Sequence, residues 1–246
     1  MVTIDLNCDM GEGLANDAAL MPYISSANIA CGFHAGDADS MKRTIETALK
    51  HGVAIGAHPG FADKATFGRT EMHLTDAAIF ELITTQIQVL QQLASSFGVK
   101  LHHVKPHGAL YNMAAKDPVL AKNIAAAVKE TDASLVLFGL SGSYSITEAT
   151  AAGLKTASEV FADRTYQDDG SLTPRSQPNA MINTTAESVQ QVLQMVAQQT
   201  VTSIHHNKVS IIAETICIHG DGAHAVAFAK QIHHTLHQHQ IGIQKI

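Results

Sequence analysis

The sequence predicts an α/β protein, a single parallel barrel with its helices outside, and three observations predict it. Short β-like runs alternate with helical patterns along the chain, the order that forces parallel strands beneath a helical layer. The 246 residues, 46% of them hydrophobic, suit one core, and the length is close to the roughly 250 residues typical of such a barrel. Polar, chemically capable residues recur where an apolar run stops, and a parallel barrel gathers all those strand ends on one face.

In chain order, strands are predicted near Val2–Asn7, Ala27–Ala30, Ala54–Ala57, Leu101–Val104, Leu135–Phe138, Thr156–Val160 and Glu214–Ile218, seven in all. Between the second and third, Met41, Ile45, Ala48 and Leu49 form a helical stripe over Asp39–His51, closed by Gly52. The longest helix is predicted from Thr75 to about Phe97, with Ile79, Leu82, Ile83, Ile87, Leu90, Leu93, Ala94 and Phe97 on one face, Thr75 as cap and Gly98 as stop. Thr184-Thr185-Ala186-Glu187 reads as a capping box opening a helix that turns Val189, Val192, Leu193 and Val196 inward.

Two segments interrupt the alternation. Residues 168–179 are rich in Gly, Pro, Ser and Asp, and form a loop long enough to fold over the active face and bring Arg175 to a substrate. Val201–Ile211, apolar at both ends around His206-Asn207-Lys208, suggests a hairpin inserted before the last strand. No linker or repeat divides the chain, so residues 1–246 are expected to form one domain.

The net charge of -6, from 16 Lys and Arg against 22 Asp and Glu, with no basic stripe, argues against nucleic acid. No apolar run approaches the ~18 residues of a membrane span and the start lacks a signal-peptide pattern. The three cysteines, Cys8, Cys31 and Cys217, have neither zinc-knuckle nor disulfide spacing, so a soluble protein of a reducing cytoplasm is expected. A small or anionic metabolite is the expected partner. No Walker loop, dinucleotide fingerprint or nucleophile elbow is present.

The chemistry collects at the strand ends. Asn7, Asp9 and Glu12 leave the first strand together, and two carboxylates with an amide suit general-base work or a divalent ion, against the plainer reading of an Asx turn. His34, His58 and His107 each follow a different strand beside glycine or proline; they are candidates for acid–base catalysis or, as Asp9, His34 and His58, for metal ligation. Lys105 and His107 share the stiff Lys105-Pro106-His107-Gly108 loop, where the ammonium could bind an anion. Glu159, Asp163 and Arg164 end the sixth strand, with Arg164 able to grip a carboxylate or phosphate or to pair internally with an acid. Arg69 offers another guanidinium in the loop after His58, or an ordinary solvated charge. The cysteines read as small buried residues, and the run His233-His234-Thr235-Leu236-His237-Gln238-His239 as a solvent-facing tail able to bind metal adventitiously.

Together, Asp5-Leu6-Asn7-Cys8-Asp9-Met10-Gly11-Glu12, the stretch from Ala27 to Asp37, Gly56-Ala57-His58-Pro59-Gly60-Phe61, Phe67-Gly68-Arg69, the stretch from Val104 to Tyr111, Glu159-Val160-Phe161-Ala162-Asp163-Arg164 and His219-Gly220-Asp221 closely resemble the LamB/YcsF family. The resemblance implies an incomplete, seven-stranded TIM-like β/α barrel related to polysaccharide deacetylases. It also implies ATP-dependent opening of 5-oxo-L-proline to L-glutamate by a multi-subunit 5-oxoprolinase, in concert with two partner components, B and C. ATP, expected with magnesium, would bind without a standard phosphate loop. The rival readings are a metal-dependent deacetylase of N-acyl sugars and a non-catalytic component that captures the lactam for its partners.

Overall fold

The computed structural model describes residues 2–220 and 224–246; Asp221 of the His219-Gly220-Asp221 motif lies outside them. Seven parallel strands close into a barrel: β1 (Thr3–Met10), β2 (Ser26–Ala30), β3 (Ala54–His58), β4 (His103–Val104), β5 (Val136–Leu140), β6 (Lys155–Phe161) and β9 (Thr215–Ile218). Closure comes from pairing of β9 with both β6 and β1, in the register Asp5↔Thr215 through Cys8↔Ile218. Between β6 and β9 lies an antiparallel pair, β7 (Thr200–Thr202) and β8 (Lys208–Ser210). A short β10 (Gly242–Ile243), absent from the sequence reading, adds to the start of β1.

The helices are α1 (Asp17–Leu20), α2 (Ala38–His51), α3 (Asp76–Ser96), α4 (Gly108–Lys116), α5 (Pro118–Thr131), α6 (Tyr144–Ala151), α7 (Thr185–Gln198) and α8 (Ala225–Gln238). Their ends follow local chemistry. Asp37 accepts from Ser40 N and Ser40 Oγ accepts from Asp37 N, a reciprocal cap for α2, while Gly52 takes the left-handed conformation that stops it. Thr75 Oγ1 accepts the Ala78 N–H at the start of α3. At α7 the expected box is partly different: Thr184 Oγ1 accepts Glu187 N, but the Glu187 carboxylate takes the Thr184 hydroxyl instead of a backbone donor.

In α3, Ile79, Ile83, Ile87, Leu90 and Ala94 are buried, and Leu82, Leu93 and Phe97 pack partly buried against them. The stripe is interrupted by the buried Gln86, whose amide donates to Gly60 O (2.7 Å) and accepts from Gly60 N (3.0 Å), so a helix outside the barrel fixes the turn after β3. Among the described residues no helix is long and apolar enough to cross a membrane. Cys8, Cys31 and Cys217 are buried thiols.

Candidate active site

Strand β1 sets the site by alternation. Leu6, Cys8 and Met10 belong to the apolar layer under the helices, while Asp5, Asn7 and Asp9 point the other way, into the barrel. Hydrogen bonds across the lumen prove the direction. Asn7 reaches Glu159 on β6 (2.9 Å) past the intervening β9, and His103 on β4 donates to Asn28 Oδ1 on β2 (2.8 Å) past β3. The second crossing is open because residue 56 is glycine: a Cβ there would lie 2.1 Å from His103 Nε2.

The polar interior is layered. At the bottom, Asp5 accepts from Ser25, Ser26 and Thr215 (2.6, 2.7 and 2.5 Å), yet burial still raises its carboxyl pKa. In the middle, Asn28 Nδ2 donates to Asn7 Oδ1 (2.7 Å) and Asp9 Oδ1 (2.9 Å), and Asn7 donates to Thr215 (2.7 Å). Phe138 stacks on the His103 ring and forms a small separate apolar cluster with Val136 and Ala157.

At the top sits Lys105, 2% exposed, its ammonium 2.9 Å from Asp9 Oδ1, 2.8 Å from Glu159 Oε1, 3.3 Å from Asn7 Oδ1 and 3.1 Å from Cys217 Sγ. Burial alone would lower its pKa, but Asp9, Cys217 and Glu159 hold it well above the usual ammonium range. Asp9 is the counterpart: burial would raise it, and His58 and Lys105 instead hold it well below the carboxylate range. The anion-binding role expected of Lys105 therefore meets internal competition, since its charge is already spent on two carboxylates.

Beside this charge cluster lies a second group. Glu12 Oε1 is 3.6 Å from His34 Nε2 and 3.5 Å from His107 Nδ1; His107 Nδ1 is 2.9 Å from His58 Nε2; and His58 Nε2 is 3.4 Å from Asp9 Oδ2. His34 and His107 stack at 3.9 Å. Burial pushes the His34 pKa down to about 3 and the His107 pKa well below its ordinary value, so both rings are neutral. Glu12, His34, His58 and His107 bring four donor atoms within 4.8 Å of one another, a grouping that could hold a metal ion. It exchanges the Asp9 of the expected set for Glu12 and His107. Asp9, Cys217 and His219 also converge, but there the ammonium of Lys105 already supplies the cation.

Both groups open on one cavity of about 440 Å³, whose lining includes Asp9, Glu12, His58, Lys105, His107 and Tyr111. Arg69, Lys116 and Arg175 line its rim; Arg175 comes from the loop at 168–179, which folds back through the bridges Tyr166↔Leu172 and Arg164↔Met181. Arg164 lines the cavity too, but its guanidinium donates to Thr173 O (2.6 Å) and Ala180 O (3.2 Å), so it clamps that loop. Neither internal acid pair weighed for it forms: Asp163 binds His219 Nδ1 (2.9 Å) and Glu159 binds Lys105. The structure thus brings together Asn7, Asp9, Glu12, His34, His58, Lys105, His107 and Glu159, with Arg69 and Arg175 at the entrance. Sequence reasoning passed over Asn28, His103 and Thr215; the polar residue at every second place of β1 was the available signal for a polar lumen.

The LamB/YcsF family model matches residues 4–246. The chain is 54% identical over 249 residues to the A subunit of 5-oxoprolinase from Tolumonas auensis, covering 99% of each. It is 54% identical over 241 residues to the A subunit of 5-oxoprolinase from Brevibacillus brevis, covering 96% of this chain and 95% of that one. Among solved structures, a lactam utilization protein from Thermus thermophilus superposes with a TM-score of 0.93 at 38% identity, over 100% of both chains.

Proposed function

The chain belongs to the LamB/YcsF family, and from that premise we propose that it catalyses ATP-dependent hydrolytic opening of 5-oxo-L-proline to L-glutamate as the A component of a 5-oxoprolinase, working with the B and C components. The observation that carries this reading is end-to-end identity of 54% to proteins bearing that name. The cavity suits the substrate: it is small, its floor is ionised and its rim carries Arg69, Lys116 and Arg175, cations that can face a carboxylate or phosphate.

A five-membered lactam resists water because its amide is resonance-stabilised and its ring recloses readily. In the proposed sequence the γ-phosphoryl group of ATP, delivered with magnesium, passes to the lactam oxygen and ADP leaves. Water adds to the activated carbon, the ring C–N bond breaks and the nitrogen takes up a proton. A second water attacks the acyl carbon, and phosphate departs with the original lactam oxygen. Asp9 Oδ1 is held by Lys105 and Asn28, leaving Oδ2 toward His58 and the cavity, placed to orient the attacking water. Lys105 holds Asp9 and Glu159 in register, and the rim arginines bind the substrate carboxylate or the developing phosphate charge.

The test is reconstitution with the B and C components. Glutamate and ADP should form only when lactam and ATP are both present, and oxygen-18 in the lactam carbonyl should appear in phosphate. Asp9→Asn should lower turnover by ~10²–10⁴ with the fold retained. Full activity in that variant would remove Asp9 from the mechanism, and label retained wholly in glutamate would exclude the phosphorylated lactam.

A further inference from the structure

We propose that Glu12, His34, His58 and His107 form a binding site for one divalent transition-metal ion of the zinc class, open to the cavity. The inference concerns the same cavity as the proposed ring opening but stands on donor geometry alone.

The outer hydrogen bonds carry it furthest. His58 Nδ1 faces Lys105 O at 2.7 Å and His107 Nε2 faces Phe67 O at 2.9 Å. A carbonyl only accepts, so those two nitrogens bear protons, and in neutral rings the other two, His58 Nε2 and His107 Nδ1, present lone pairs. These two atoms face each other at 2.9 Å, with Asp9 Oδ2 a further 3.4 Å from His58 Nε2. Two acceptors at that distance repel unless a proton or a metal cation lies between them. Metal-ligating histidines show this arrangement, one nitrogen on the ion and the other N–H on a carbonyl, which fixes tautomer and ring angle.

His34 points the same way. It is 1% exposed, and neither ring nitrogen has a hydrogen-bond partner among the described residues. A buried imidazole without a hydrogen bond is costly, and an ion within reach of Nε2 would satisfy it. Stacking of His34 on His107 at 3.9 Å and 8° favours neutral rings over a pair of imidazolium ions, and neutral imidazole is the metal-binding form.

The donor spacing fits as well. Donors about 2.0–2.1 Å from a tetrahedral ion stand about 3.3–3.4 Å apart; three of the six edges here are 2.9, 3.5 and 3.6 Å, and all six lie within 4.8 Å. Three imidazole nitrogens and one carboxylate oxygen select zinc, cobalt or nickel over magnesium, which demands oxygen donors. Glu12, His58 and His107 line the cavity, so the ion would meet whatever enters it.

The experiment uses the full chain, stripped with chelator and titrated with Zn²⁺, Co²⁺ or Mg²⁺ alone, followed by calorimetry and by the visible spectrum of Co²⁺. One equivalent of Zn²⁺ or Co²⁺ should bind, Co²⁺ with the intense bands of a low-coordinate nitrogen site, and Mg²⁺ should not compete. His34→Gln and His107→Gln should each weaken binding by more than the ~10–100-fold that loss of an outer-shell partner costs; Glu12→Gln gives a third variant should either histidine change unfold the chain, as checked by circular dichroism. His233→Ala/His237→Ala removes the adjacent pair of rings on α8, and should leave that equivalent in place. Absence of binding, binding unchanged in folded Gln variants, or binding lost with the α8 pair would each overturn the proposal. None of these readouts depends on ring opening, so the two readings can fail separately.

Discussion

Along β1 two sets of side chains are equally shut away from water and do opposite things. Leu6, Cys8 and Met10 bury hydrocarbon and sulfur against the helical layer, whereas Asp5, Asn7 and Asp9 enter the lumen among Ser26, Asn28, Lys105, Glu159 and Thr215. The outer seam stabilises the fold by removing apolar area from water, roughly 25 cal/mol per Å². The inner network is favourable only while each member keeps its partners, because a buried charge left alone is costly. The lesson is that burial in this barrel divides by face: the side toward the helices supplies stability, and the side toward the axis supplies positioned charge.

The sharpest way to break that division is Lys105→Met. The substitution keeps volume and removes the one ammonium between Asp9 and Glu159, leaving two carboxylates facing each other without a counter-charge. We expect a loss of about 3–5 kcal/mol in urea denaturation, the usual result of deleting one partner of a buried pair, together with loss of turnover. Lys105→Met/Glu159→Gln should recover much of the stability and none of the activity. A single variant as stable as the parent would mean that the lumen is wetter and less demanding than its hydrogen bonds imply.

Gly56→Ala probes the same face sterically, with a smaller effect. The added methyl would stand 2.1 Å from His103 Nε2 and must displace the ring that bridges β4 to Asn28. Overpacking of this kind costs about 1–3 kcal/mol, and calorimetric melting would measure it. The displaced imidazole should also free Asn28, which orients Asp9. An unchanged melting temperature would show that the His103 bridge contributes nothing to the fold.

Much of this was legible before any coordinates. The strand runs and the strand-end motifs place Asp9, His34, His58, Lys105 and His107 around one mouth, because parallel strands all deliver their carboxyl ends to the same side. The partners were not legible. Nothing in Lys105-Pro106-His107 says that the ammonium turns inward to Asp9 and Glu159, which depends on which strands lie across the axis, or that Arg164 spends its guanidinium on the carbonyls of Thr173 and Ala180, which depends on how the loop after β6 folds back. Metal ligation was read from residue type, and type could not show that Glu12 approaches His34 and His107 while Asp9 approaches His58. Gln86 was hidden for a related reason: within an apolar helical stripe its partner is a loop reached only in three dimensions.

The finest test is titration of the lumen itself. Burial holds His103 well below the ordinary histidine range, so in the folded chain the ring stays neutral while in the unfolded chain it protonates near pH 6.5. Below that pH the unfolded state binds the extra proton, and stability must fall as pH falls. One such histidine contributes a slope of about 1.4 kcal/mol per pH unit between the two pKa values. Asp9 carries the same sign for a different reason: its depressed carboxyl adds stability that is lost only as pH drops through its folded pKa, beneath the usual carboxylate range, so its loss lies below the histidine window. His103→Gln keeps a donor for Asn28 and removes the titration. Urea midpoints of chelator-stripped protein between pH 6 and pH 5 should therefore fall less steeply in the variant, by about that one-proton slope. Parallel profiles would mean that His103 is charged in the folded chain, giving the lumen a second cation beside Lys105 and making its inner face a balanced pair of charges against Asp9 and Glu159.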